Sequence, residues 1–111
     1  MKIYRIENER GLGPLAKGYH PCLATSDERQ RLRRLPTPQS EWLVMMSGEH
    51  VCGCSSMDQL HKWFNSLQID EMEKDGYHLK EFEVPDELVQ VGKYQVVFKK
   101  PREEVKDERK V

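Results

Sequence analysis

His50 to Phe64, HVCGCSSMDQLHKWF, carries two hydrophobic periods that meet at a hinge. His50 to Cys54 reads as a buried strand. Met57 to Leu67 reads as an amphipathic helix, because Met57, Leu60, Trp63, Phe64 and Leu67 recur at helical spacing. Ser55 and Ser56 occupy the junction. Ser56 followed three residues on by Gln59 forms a capping-box pattern, in which the serine oxygen accepts from an orphan amide and the glutamine reaches back to the cap. Hydroxyl residues at a strand-to-helix turn serve either as caps or as ligand contacts, since backbone amides and side chains there face one hollow.

On the C-terminal side, Ile69 to Lys74 continues in helical fashion and Gly76 stands where a left-handed residue would end it, giving two helices or one bent one. Tyr77 to Val84 is strand-like, with an apolar parity shift between Leu79 and Phe82 that predicts a bulge or a change of face. Pro85 and Asp86 turn the chain, and two strands follow, Leu88 to Val91 and Tyr94 to Phe98. The second is apolar on both faces and is expected at the centre of a sheet.

On the N-terminal side, Met1 to Ile6 reads as a first strand with apolar character on both faces. Asn8 to Gly18 is punctuated by Gly11, Gly13, Pro14 and Gly18 and reads as a loop of the kind that borders sites. Thr25 and Glu28 form a second capping-box pattern before a short helix over Asp27 to Leu35, stopped by Pro36 and Pro38. Ser40 to Met46 must be largely buried, yet the run is too short to separate strand from helix. The order of elements gives an α+β class with a mainly antiparallel sheet and one or two packed helices. A single domain over residues 1–100 is followed by a charged tail, PREEVKDERKV, whose composition predicts disorder.

A chain of 111 residues has room for one core. Its net charge of −1 argues against a nucleic-acid partner. It contains neither the roughly 20-residue apolar stretch of a membrane helix nor a signal-peptide pattern, which predicts a cytoplasmic protein with no membrane partner. Three cysteines, an odd number, do not form a disulfide framework. His50, Cys52 and Cys54 share one strand face, and His20 with Cys22 could add metal ligands. Cys-x-Cys lacks the knuckle spacing of structural zinc, so the thiols are read as core residues and no metal is expected. Arg29, Arg31, Arg33 and Arg34 either gather phosphate or form a solvated helix face. Trp63 and Leu60 are expected to anchor the helix on the sheet.

The order of three short motifs resembles the ADP-ribosyltransferase fold of the arginine-serine-glutamate class, and small phage-encoded proteins of this layout. Tyr4 and Arg5 resemble the first motif, Gly53 to Ser56 (GCSS) the second, and Tyr94 to Phe98 (YQVVF) the third, so that the likeness covers most of residues 1–100. The resemblance implies an NAD-binding cleft, with Tyr4, Arg5, Ser55 and Ser56 contacting the nucleotide. Arg5 would clamp the pyrophosphate with its planar fork, although an arginine on an edge strand is as often merely ion-paired. The sequence departs from the family at Gln95, which stands at the catalytic glutamate position. A glutamine keeps an oxygen that can accept a hydrogen bond but loses the charge that favours an oxocarbenium-like transition state. Lys93 replaces a second acidic residue, and Glu81, Glu83 and Glu87 are nearby carboxylates with no spacing that selects one. The expectation is a domain that binds NAD or a related ADP-ribose nucleotide with doubtful transferase activity. The alternative is a non-catalytic interaction protein that binds a host protein, such as a phage inhibitor of a host enzyme or defence complex.

Overall fold

The structure, a computed structural model, describes residues 1–15, 20–41, 43 and 50–100. Among the described residues, five strands, β1 (Lys2–Glu7), β2 (His50–Gly53), β3 (His78–Glu83), β4 (Val89–Val91) and β5 (Val96–Lys99), accompany three helices, α1 (Ser26–Arg33), α2 (Met57–Trp63) and α3 (Ser66–Lys74). All strand pairing among the described residues is antiparallel, and the class is α+β. The strands divide into two sheets, a β1-β3 ribbon and a three-stranded sheet in the order β2-β5-β4. As the apolar run from Val96 to Phe98 predicts, β5 is central and these three residues are fully buried.

Among the described residues, the sheets are joined at one bridge. Tyr4 N donates to Cys54 O at 2.7 Å and Cys54 N to Tyr4 O at 2.8 Å, so β1 passes across the end of β2. Gly53 makes that crossing possible. A Cβ there would lie 2.7 Å from Ile3 Cγ2, 3.0 Å from Phe98 Cε1 and 3.1 Å from Tyr4 O. The glycine of the GCSS stretch thus answers to backbone approach.

The β1-β3 ribbon separates two cores. Ile3 pairs with Phe82, and Ile6 with Leu79, in a register unbroken from Lys2–Glu83 to Glu7–His78. Ile3 packs with Phe82, Val84, Val96 and Phe98, whereas Ile6 and Leu79 belong with Leu23, Leu32, Cys54, Leu60, Phe64 and Met72. The parity shift in β3 is therefore a change of face without a bulge, because each sheet face has its own core to fill.

The expected helix over Met57 to Leu67 is interrupted. Phe64 is extended at φ −138° and ψ 132°, which buries its ring and leaves Leu67 76% exposed. Asn65 and Gln68 explain the break, since they form a complete reciprocal capping box that starts α3 in its own right. At the head of α2, Ser56 Oγ accepts from Gln59 N at 3.1 Å as expected. The Gln59 side chain, however, turns to the amide of Ser55 rather than that of Ser56. Thr25 caps α1 through Glu28 N, and the Glu28 carboxylate goes to Arg31 and Gln68 instead of back to the cap.

Helix α3 ends as Gly76 predicts. Gly76 takes φ 87°, Tyr77 N donates to Met72 O and Gly76 N to Glu73 O, the two bonds of a Schellman motif. Of the Ser40 to Met46 run, Leu43 is buried, while Trp42 and residues 44–46 lie outside the described residues, as do Gly18 and the tail over 101–111. No helix among the described residues is long and apolar enough to cross a membrane.

Gly53→Ala is expected to destabilise the protein by about 1–3 kcal/mol, the usual cost of overpacking, because a backbone carbonyl and a buried ring cannot both give way. Urea unfolding measures it, and an unchanged midpoint would refute the close crossing.

Candidate functional site

Between the β1-β2 crossing, the loop after β1 and the segment that follows α1 lies a cavity of about 670 Å³. Its described walls include Tyr4 and Arg5 of β1, Gly13 to Leu15 of the loop, Arg33 of α1, Leu35 to Pro38, His50 to Cys54, Trp63 and Gln95. The lining is largely apolar. Pro36 and Pro38, expected as helix stops, also shape one wall.

Three of the five residues singled out by sequence, Tyr4, Arg5 and Gln95, meet in this cavity. Ser55 and Ser56 do not line it. Their polar groups start α2, with Ser56 Oγ on Gln59 N, and with Ser55 N donating to Gln59 Oε1 at 2.8 Å while its hydroxyl lies 3.4 Å from the same oxygen. Gln59 in turn donates through Nε2 to Lys93 O at 2.9 Å, tying the strand-to-helix turn to the β4-β5 connection.

Arg5 is neither solvated nor open on all sides. Its Nε donates to Glu7 Oε1 at 2.8 Å, Nη1 to Cys52 O at 2.7 Å and Nη2 to Gly11 O at 3.1 Å. Three bonds leave two of the five guanidinium N–H groups for other acceptors. The partner Glu7 was not anticipated, although an Arg-x-Glu step on a strand places both side chains on one face. Glu7 is only 2% exposed and also receives Lys80 at 3.2 Å and Lys100 at 2.8 Å. Burial pushes its carboxyl up, but hydrogen bonds from Lys100, Arg5 and Lys80 outweigh that and hold it below the usual range. Among the described residues, one carboxylate against three cations leaves this cluster with an excess of two positive charges beside the cleft.

Gln95 is buried, and its Nε2 donates to Pro36 O at 2.8 Å and to Glu41 Oε2 at 3.2 Å. Glu41 accepts Tyr94 N through its other oxygen, at 3.0 Å. A glutamate at position 95 would face the Glu41 carboxylate, so the amide is held here by a neighbour that no sequence spacing signalled. Lys93 lies with its ammonium 5.5 Å from the Tyr94 ring centre, and neither it nor Glu81, Glu83 or Glu87 lines the cleft. Among the arginines, Arg31 donates to Lys62 O and Trp63 O at the end of α2, and Arg33 reaches the cleft wall. Trp63 donates to Tyr94 O at 2.9 Å, which fixes α2 to the connection before β5.

Cys52 and Cys54 line the cavity and are free thiols. Burial pushes both up in pKa, Cys54 to about 12, so neither is a ready nucleophile. No group of three or more His, Cys, Asp or Glu side chains among the described residues is arranged to hold a metal ion.

Glu7 lends stability that is fully present above the ordinary glutamate value of 4.5 and is lost as pH falls through its lower folded value. Glu7→Gln is therefore expected to cost about 3–5 kcal/mol at pH 7, the range for breaking a buried ion pair. The gap between wild type and variant should shrink on going to pH 3. Denaturant unfolding at both pH values measures this, and an equal gap at both would refute the charged role.

The chain has a sequence relative in Enterobacteria phage T4, described as "Uncharacterized 19.7 kDa protein in motB-dexA intergenic region", at 35% identity over 65 residues. The aligned stretch is 59% of this chain and 37% of the relative, so the match spans little more than a third of that protein. No solved structure matches. The family described as Bacteriophage T4 Y00F protein matches residues 1–111, and the chain belongs to that family.

Proposed function

We propose that the protein is a non-catalytic binding domain, and that its cleft takes an anionic, ring-bearing ligand of the ADP-ribose class such as NAD. The observation that carries this reading is the make-up of the wall. Arg5 and Arg33 stand among apolar and aromatic residues, and no carboxylate occurs among the described lining residues. The volume falls within the roughly 300–1,000 Å³ of small-molecule sites, which are mostly apolar with a few placed polar groups.

The residues fit an anion better than they fit a reaction. The two unspent N–H groups of Arg5, the positive excess of the cluster behind it and Arg33 would hold a pyrophosphate, and Tyr4 and Trp63 supply ring surface. Bound NAD would supply a polarised glycosidic bond, yet the neutral amide of Gln95 offers no charge to stabilise its cleavage. An ADP-ribosyltransferase-like origin fits the meeting of Tyr4, Arg5 and Gln95. It fits less well with Ser55 and Ser56, which are occupied in starting α2.

A second reading is an interaction protein that binds a host protein in the cytoplasm of the infected cell. It is favoured by the three structural bonds already made by Arg5, by Leu88 just before the outer strand β4, 57% exposed, and by Val91 at the end of that strand, 59% exposed.

Calorimetric titration with ADP-ribose and with NAD distinguishes the two. Binding is expected, weakened roughly tenfold by Arg33→Ala, about 1.5 kcal/mol for one charge-assisted contact. Arg33 is exposed, so folding should be unaffected. Nicotinamide release from NAD should be absent. The absence of heat and of any thermal shift at millimolar ligand would overturn the nucleotide reading in favour of the second.

A further inference from the structure

Away from the cleft, the 3-10 turn Pro21–Leu23 and the C-terminal cap of α3 bring Cys22, His20 and Asp75 into line. Cys22 Sγ lies 3.1 Å from His20 Nδ1, and His20 Nε2 lies 2.6 Å from Asp75 Oδ2. The tautomer follows from a third contact. The backbone amide of Cys22 donates to Nδ1 at 3.2 Å, which makes Nδ1 the acceptor nitrogen and puts the ring proton on Nε2, donated to Asp75. The single Nδ1 lone pair is thus shared between the Cys22 amide and the Cys22 thiol, with the sulfur the nearer of the two.

The imidazole is held firmly. It is buried, and Tyr77 packs edge-on against it at 5.7 Å between ring centres and 89° between planes. Cys22 is only half-buried. The other acceptor near its sulfur, Gln68 O, is farther away at 3.8 Å. Nucleophile, base and orienting carboxylate thus stand in hydrogen-bond sequence, the arrangement by which a weak nucleophile is activated. None of the three lines the cleft.

We propose that Cys22 is a base-assisted nucleophile and a modification site for a soft carbon electrophile, with His20 as its base and Asp75 as the group that orients the base. As the S–C bond forms, the thiol proton passes to His20 Nδ1 and the leaving group departs with the electron pair of its bond to carbon. The imidazolium, stabilised by Asp75, then returns its proton to water. Among the described residues, the charged groups facing the site are Glu71 and Asp75 from α3 and Glu28 from α1. With burial as the larger effect, they push the thiol up and so disfavour a resting thiolate, while they favour a transient imidazolium. Proton transfer accordingly accompanies attack rather than preceding it.

The test is alkylation of the folded full chain by iodoacetamide from pH 5.5 to 9, followed at each cysteine by peptide mass. Cys22 is expected to react at least about tenfold faster at pH 7 than Cys52 or Cys54, with a rate that climbs less steeply with pH than that of an unaided thiol. His20→Asn should slow Cys22 about tenfold and make its rate climb with pH as for an unaided thiol. Asp75→Asn, at an exposed position that leaves the fold intact, should slow it several-fold. A purely structural pin predicts the reverse, since removing it would expose the sulfur. A Cys22 rate that is no greater than that of Cys52, or that stays level or rises in the variant of either partner, would overturn the proposal.

Discussion

The paired hydrogen bonds between Tyr4 and Cys54 are the constraint on which the remaining geometry rests. They are the backbone bridge between the β1-β3 ribbon and the β2-β5-β4 sheet, and they set β1 across the end of β2 closely enough that only glycine fits at 53. From that crossing follow two cores on opposite faces of the ribbon, one over β5 and one under the helices. The cleft follows as well, because strands that cross at one point diverge beyond it, and here the apolar walls of β1, β2 and the segment after α1 part.

The Glu7 cluster secures one side of this arrangement. Arg5 links β1 to the carbonyl of Cys52 on β2 and of Gly11 in the loop, while Lys80 from β3 and Lys100 after β5 converge on the same carboxylate. A lone buried carboxylate would be costly, and three cations more than offset that cost. The surplus positive charge then lies next to an apolar hollow, so a network that organises the backbone also sets a positive field beside the cleft.

Elements defined by strong local patterns were legible in the sequence. The strand β1, the central β5, the Ser56 cap and the Gly76 stop all follow from period, burial and backbone freedom. What was not legible depended on partners distant in the chain. Leu67 fits the α2 stripe by spacing, yet Asn65 and Gln68 satisfy four residues' worth of local geometry before that stripe can continue. The pairing of Gln95 with Glu41 spans 54 positions and carries no periodic signal. Arg5 and Glu7 were closer to view, two residues apart on one strand face, but the two lysines that complete the cluster are 73 and 93 positions from Glu7.

The short elements explain why so many motif-like polar residues have structural duties. A seven-residue helix such as α2 leaves nearly as many orphan amides and carbonyls as it satisfies. Here the Ser56 hydroxyl takes an amide at its start, Gln59 reaches the Ser55 amide, and Arg31 takes the carbonyls of Lys62 and Trp63 at its end. The β4-β5 connection is equally brief, and Gln59, Trp63 and Glu41 serve its backbone groups over residues 93–94. In a small domain the polar side chains at strand-to-helix turns are recruited first by the backbone. The residues left to define a ligand site are those whose polar capacity exceeds that demand. On the cleft wall the guanidinium of Arg5 keeps donors to spare, whereas the hydroxyls of Ser55 and Ser56 are off that wall and bond within the turn.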